Sequence, residues 1–153
     1  INNFSFYNMF GYVGEVVGFA VVIMTFYERF LWKYNPLEDT PVLAKRYKGV
    51  LKSTYDGIER EASLEIQQTL LTVSTVLITE ESRSKTITAS IEKILGEKQL
   101  TYCYLNTPNA SVRNSSAIHY GTAILCVEDV NKLTGQYYSD RKTTGDIKFV
   151  PDL

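Results

Sequence analysis

Two hydrophobic patterns divide this chain. From Met9 to Tyr27 the sequence MFGYVGEVVGFAVVIMTFY is apolar almost without interruption, and Glu15 is the single formal charge in nineteen residues. At about 1.5 Å of rise per residue a helix of this length covers roughly 28 Å, close to the hydrocarbon thickness of a bilayer. Phe4, Phe6, Tyr7 and Phe10 precede or open the run, and Tyr27, Phe30, Trp32 and Tyr34 close it, as in an interfacial aromatic belt. The pattern predicts a membrane-spanning helix; the alternative is a buried helix of a soluble domain. Pro36 and Pro41 bracket Leu37-Glu38-Asp39-Thr40, ending the helix in a short, stiff link.

After the link the period changes from helix to strand, with β-branched and polar residues alternating in short runs. Eight strands are predicted: Ala44–Tyr55, Ile58–Gln68, Leu70–Thr79, Ser84–Lys93, Gln99–Asn106, Ala117–Glu128, Leu133–Ser139 and Thr144–Val150. Asp56-Gly57, Glu80 to Arg83, Gly96-Glu97 and Asp140 to Thr143 supply turns, and Thr107–Ser116 is a polar loop. Successive strands with short connections favour an up-and-down antiparallel β-barrel, because closure removes the exposed edges of an open meander. A β-sandwich is the structural alternative. The expected organisation is a transmembrane region over residues 1–35, a linker over 36–43 and a β-barrel over 44–153.

Composition narrows the function more than the fold. The chain has 153 residues, a net charge of −1 and a pI near 5.9. The ~118 residues beyond the helix suffice for one compact domain and not two. A balanced charge excludes a groove for a nucleic-acid polymer, which would need an excess of Lys and Arg. Residues 1–28 contain no Lys or Arg, whereas Arg29, Lys33, Lys45, Arg46 and Lys48 follow, so the positive-inside rule puts the C-terminal side in the cytoplasm. Cys103 and Cys126 lie in strand segments and read as small buried hydrophobes in a reducing compartment, with a disulfide left open. One His and two Cys are too few for a structural zinc site, and no metal is expected.

Chemistry-bearing residues are few. His119 is the single histidine, with no nucleophile-elbow sequence around it and no phosphate-binding glycine loop elsewhere. Five of the eleven tyrosines, Tyr102, Tyr104, Tyr120, Tyr137 and Tyr138, fall in the last four strands, where rings can stack on a base or fill a barrel. Arg141 and Lys142 lie beside Thr143 and Thr144 in the last hairpin, a candidate phosphate contact. In the apolar helix, Gly14 and Gly18 form a small-xxx-small pair on the face that carries Glu15, a pattern suited to close helix approach in lipid.

Five segments together resemble one family: Glu65 to Gln68, Thr79 to Ser84, Leu100 to Asn106, His119 to Thr122, and above all LTGQYYSDRKTTG at Leu133 to Gly145. That family is the two-transmembrane, β-strand-rich effectors of bacterial cyclic-oligonucleotide anti-phage signalling (CBASS). The resemblance covers about residues 1–150. It implies an eight-stranded barrel that senses a cyclic dinucleotide made by a cognate nucleotidyltransferase, self-associates into a homo-oligomer and disrupts the inner membrane to cause abortive infection. It further implies no catalysis, no cofactor beyond the cyclic dinucleotide, and a first membrane helix upstream of the one seen. The candidate ligand-binding residues are Gln67, Tyr104, His119, Tyr137, Arg141 and Thr144, and the candidate helix interface is Gly14, Glu15 and Gly18. A membrane-tethered carrier of a lipid or other hydrophobic ligand is the second reading. A membrane-bound hydrolase using His119 is the third.

Overall fold

The computed structural model describes residues 6–152, with the side chains of Phe6 and Tyr7 excepted. Phe4 and those two side chains, part of the expected aromatic belt, lie outside the described residues. The chain forms two compact units, one of the N-terminal segment to Asp39 with Thr69–Leu71, the other of Thr40–Gln68 and Thr72–Leu153.

The first unit is built on α1 (Phe6–Phe26), which continues through a π-helical turn (Tyr27–Leu31) and a 3-10 turn (Trp32–Tyr34). Every side chain described from Asn8 to Phe26 is exposed, so the helix has no buried face among the described residues. Gly14 and Gly18 are open, with nothing within 4 Å of where a Cβ would stand. Asn35 ends the run at φ −79°, ψ 113°, the extended backbone that a following proline imposes. Its amide locks the exit: Nδ2 donates to the Tyr27 hydroxyl (2.6 Å), and Oδ1 accepts the Leu37 N–H (3.0 Å). Within the same unit the Leu70 N–H donates to the Glu28 carbonyl (3.1 Å).

The second unit is a closed eight-stranded antiparallel barrel in which each strand pairs with its sequence neighbours and β1 pairs with β8. The strands are β1 (Arg46–Ser53), β2 (Glu59–Gln68), β3 (Val73–Thr79), β4 (Ser82–Ile94), β5 (Glu97–Pro108), β6 (His119–Cys126), β7 (Leu133–Ser139) and β8 (Thr144–Pro151). The up-and-down barrel is therefore the fold and the sandwich is not. The first strand is two residues shorter than predicted at each end, because Ala44, Lys45, Thr54 and Tyr55 hold no ladder pair. The β4–β5 hairpin is longer, since Leu95 (φ 51°) and Gly96 (φ 95°) turn the chain in two residues. Alternation decides which side chains enter: Tyr47, Leu64, Leu100, Leu125, Leu133 and Phe149 are at most 1% exposed and fill one half of the barrel. Cys103 and Cys126 are free; Cys103 pairs with Thr122 and Cys126 with Gln99, so they occupy different rungs and a disulfide is excluded.

The two ends differ. The chain enters the barrel at the packed end, where Gln68 holds the incoming segment: the Leu43 N–H donates to its Oε1 (3.0 Å) and its Nε2 donates to the Pro41 carbonyl (2.8 Å). The Tyr47 hydroxyl accepts the Ala44 N–H (3.0 Å) and donates to the Val130 carbonyl (2.9 Å), closing that end. The wall is uneven as well. The β3–β4 ladder holds only three residue pairs, Val76–Ile78 against Arg83–Lys85, before a bulge between Thr86 and Thr88. There the Thr86 hydroxyl stands in for backbone, accepting the Thr75 N–H (2.8 Å) and donating to the Thr75 carbonyl (2.9 Å).

Candidate functional site

The end opposite the chain entry is open. It is framed by the β1–β2, β3–β4 and β7–β8 turns and by the β5–β6 loop, and it holds a cavity of about 380 Å³. The cavity lining runs from mostly apolar at depth to polar at the rim. Leu51, Leu77, Ala123 and Ile147 form the floor together with Tyr102, the deepest β5 residue to line the cavity. Ser84, Tyr104, Asn106 and Tyr137 stand above them, and Asp56, Arg60, His119 and Arg141 lie at the rim.

The two upper tyrosines are seated by glycines. Tyr104 is paired across the ladder with Gly121, and Tyr137 with Gly145. A Cβ on Gly121 would collide with Tyr104 Cζ and Oη, and one on Gly145 with Tyr137 Cε1. Each ring therefore lies over the bare backbone of its neighbour strand, against the wall instead of across the lumen. Without those glycines the rings would fill the space they now line. Asn106, buried, donates from Nδ2 to Ser82 Oγ (2.9 Å) and Ser84 Oγ (2.8 Å), bracing the β4–β5 wall.

Tyr102 is 1% exposed, and its hydroxyl has no hydrogen-bond partner among the described residues. Burial pushes its phenol well above the ordinary tyrosine value, with Tyr104 adding to the shift. Burial also raises Tyr104, with Tyr137 and Asp140 adding, and raises Tyr47, where the Ala44 N–H partly offsets it. All three folded-state values exceed the unfolded value of 10.0, so the neutral phenols contribute stability that is fully present below pH 10 and lost as pH rises above it. Urea-unfolding midpoints should stay level from pH 7 to 9 and fall above pH 10; a level midpoint at pH 11.5 would refute this.

The two arginines at the rim are not equivalent. Arg60 pairs bidentately with Asp56, its Nη1 3.2 Å from Oδ1 and its Nη2 bonded to Oδ2. That pairing and the Ile58 N–H hold the Asp56 carboxyl down to about 2. The charge of Arg60 is thus answered within the fold. Arg141 donates from Nη1 to Ser116 Oγ (3.0 Å) and makes no ion pair among the described residues. Its turn is held by the Ser139 N–H on the Thr143 carbonyl (2.9 Å) and by the Asp140 N–H on the Tyr120 carbonyl (3.1 Å). The guanidinium is a placed cation with unused donors facing the mouth.

Of the six ligand-binding candidates, Tyr104, His119, Tyr137 and Arg141 meet at this cavity. Gln67 and Thr144 do not line it. Gln67 follows inward Ile66 and is exposed on the outer wall beside Lys45 and Arg46; Thr144 precedes inward Gly145, and its hydroxyl bonds Thr54 Oγ1 (3.0 Å). His119 Nδ1 lies 3.0 Å from the Ala117 carbonyl, an arrangement that makes Nδ1 the donor and leaves Nε2 an acceptor when the ring is neutral. No hydroxyl, thiol or carboxylate is bonded to the His119 ring among the described residues, so the hydrolase reading gains no nucleophile. Among the same residues no cluster of His, Cys, Asp and Glu could hold a metal ion. Tyr102 stands among the five tyrosines noted in the sequence but not among the six candidates, and sequence reading did not single out Asn106, which lines the cavity, or Gly121 and Gly145, which seat its rings. A larger depression, about 870 Å³, crosses the outer face of β1, β2 and β3, but its four carboxylates, Glu59, Glu61, Glu80 and Glu81, outnumber Lys48 and Arg60 and no aromatic ring lines it, a poor setting for an anion.

Residues 39–150 match the family model described as "Cap15, cyclic dinucleotide receptor domain". The chain is also 36% identical over 146 residues to CD-NTase-associated protein 15 of Staphylococcus schleiferi, covering 88% of this chain and 78% of that protein.

Proposed function

The chain belongs to the Cap15 family of CBASS effectors, and from that premise we propose that its mouth cavity is the receptor site for a cyclic dinucleotide. The observation that carries this reading is the pairing of two wall-seated rings, Tyr104 and Tyr137, with the unpaired guanidinium of Arg141 at the rim. A base stacks on a phenol ring, and a phosphate takes charge-assisted hydrogen bonds from the guanidinium. A lipid carrier needs an enclosed apolar lumen; here polar Ser84, Asn106 and Thr79 line the walls, which favours the nucleotide. The test is equilibrium binding of a panel of cyclic dinucleotides to the detergent-solubilised chain, with a fatty acid as competitor. Micromolar or tighter binding of at least one cyclic dinucleotide, undisturbed by the fatty acid, is the expected result. Fatty-acid binding alone would favour the carrier.

We further propose that α1 anchors the protein in the bacterial inner membrane with the barrel in the cytoplasm, where a cognate nucleotidyltransferase supplies the ligand. A helix of 21 residues whose described side chains, Asn8 to Phe26, are all exposed is at home in lipid, not in water, and the Lys and Arg asymmetry supports the orientation. In this reading ligand drives homo-oligomerisation, and the Gly14–Glu15–Gly18 face of α1 packs against its copies and perturbs the bilayer. Gly14→Leu and Glu15→Ala are each expected to abolish ligand-dependent dye leakage and cell death while leaving expression, membrane insertion and ligand affinity unchanged. Leakage equal to the parent's from both variants would reduce that face to a lipid-exposed anchor.

A further inference from the structure

We propose that Tyr102 is a specificity-determining residue of the cavity, its hydroxyl reading the polar edge of one inserted nucleobase while the phosphates remain at the mouth. The inference rests on the cyclic dinucleotide reading above. Three observations lead to it.

The first is size. About 380 Å³ is near the small end of ligand pockets, roughly 300–1,000 Å³, which accept a drug-sized molecule. A cyclic dinucleotide carries two bases, two sugars and two phosphates, and only part of it can enter. The second is the order of chemistry along the barrel axis. The one cavity cation without an ion pair among the described residues, Arg141, is at the rim, and the rings of Tyr104 and Tyr137 are at mid-depth. A phosphate held at the rim leaves its attached base to descend past the rings, plane against plane. The base then meets the floor with its edge. The third is the floor. It is aliphatic except at Tyr102, and that residue's hydroxyl is buried without a partner among the described residues.

Folding has therefore left one neutral hydroxyl, able to donate or accept, in the floor and closed off from solvent, so that a base edge reaches it only as the Tyr102 ring shifts toward the lumen. A buried group that lacks a partner in the free protein and gains one on binding discriminates strongly against ligands that fail to supply it. The second base of the ligand is left outside. Recognition is accordingly one-sided: one base is read and the other is tolerated.

The test is Tyr102→Phe in the full chain, solubilised in detergent, with two readouts. One is the melting temperature without ligand; the other is affinity for cyclic dinucleotides in all base combinations. For the parent, mixed ligands that share the preferred base should bind within a few-fold of the corresponding homodinucleotide. Tyr102→Phe should melt at the same temperature or up to about 3 °C higher, because it removes an unpaired buried hydroxyl. It should bind the preferred ligands about three- to tenfold more weakly, with the spread between bases compressed. Parent-like affinities across the panel would overturn the proposal. A melting temperature lowered by several degrees would also overturn it, by making the hydroxyl a structural group. If the parent binds no member of the panel, the receptor reading fails and this inference falls with it.

Discussion

A Gly121→Val chain is expected to melt several degrees below the parent and to lose cyclic dinucleotide affinity by about a hundredfold or more. Tyr104 lies over Gly121, and no Cβ fits between that ring and the β6 backbone. Valine must displace the ring, and the open direction is the lumen. Forcing extra atoms into a packed site costs about 1–3 kcal/mol, which for a chain of this size is a few degrees of melting temperature. The larger effect is on binding, since the displaced phenol occupies the volume that a base would use. Adding Tyr104→Leu to Gly121→Val separates the two. It should recover only part of the melting temperature, because the collision with the ring is gone while the Tyr138 carbonyl still crowds the new Cβ, without recovering affinity, because the stacking ring is gone too. Parent-like affinity in the single variant would mean that the ligand does not enter beside Tyr104.

Arg141→Ala is expected to weaken binding about ten- to a hundredfold, with the melting temperature within a degree of the parent's. A hydrogen bond to a charged group contributes about 1.5–3 kcal/mol, and Arg141 has only the Ser116 hydroxyl to lose in the free protein. Arg60→Ala is the informative contrast. It strips Asp56 of its partner and leaves a bare carboxylate at the rim, so it should disturb the β1–β2 turn as well as the ligand. Raising salt from 50 to 300 mM should weaken the parent more than Arg141→Ala, because the exposed cation is screened. Equal salt dependence would place the phosphate contact elsewhere.

Much of this architecture was legible in the sequence because barrel strands advertise themselves twice, by alternation and by turns. Gly57 and Gly96, both at positive φ, mark hairpins, although the expected Gly96-Glu97 turn is one residue late for the Leu95-Gly96 turn observed, and Leu133–Ser139 is delimited to the residue. Tyr104, His119, Tyr137 and Arg141 converge because each sits at the same end of its strand or turn. The parity that places Gln67 and Thr144 outside was also readable: Leu64 and Ile66 point in, so Gln67 points out, and Ile147 and Phe149 do the same for Thr144. What could not be read is the ladder register. Only register puts Gly121 beneath Tyr104 and Asn106 against Ser84, 22 residues away, and only packing leaves the Tyr102 hydroxyl alone.

The Thr86 substitution for backbone has a mechanical meaning. Seven junctions of the barrel are closed by ladders of six or more residue pairs, and the β3–β4 junction by three pairs flanked by the hydroxyl bonds of Thr86 with Thr75 and of Thr79 with Ser82. A hoop with one clasp does not stretch evenly. It yields at the clasp, so any widening needed to seat a guest larger than the resting lumen is concentrated along one line of the wall, where rotatable hydroxyls stand in for backbone pairs.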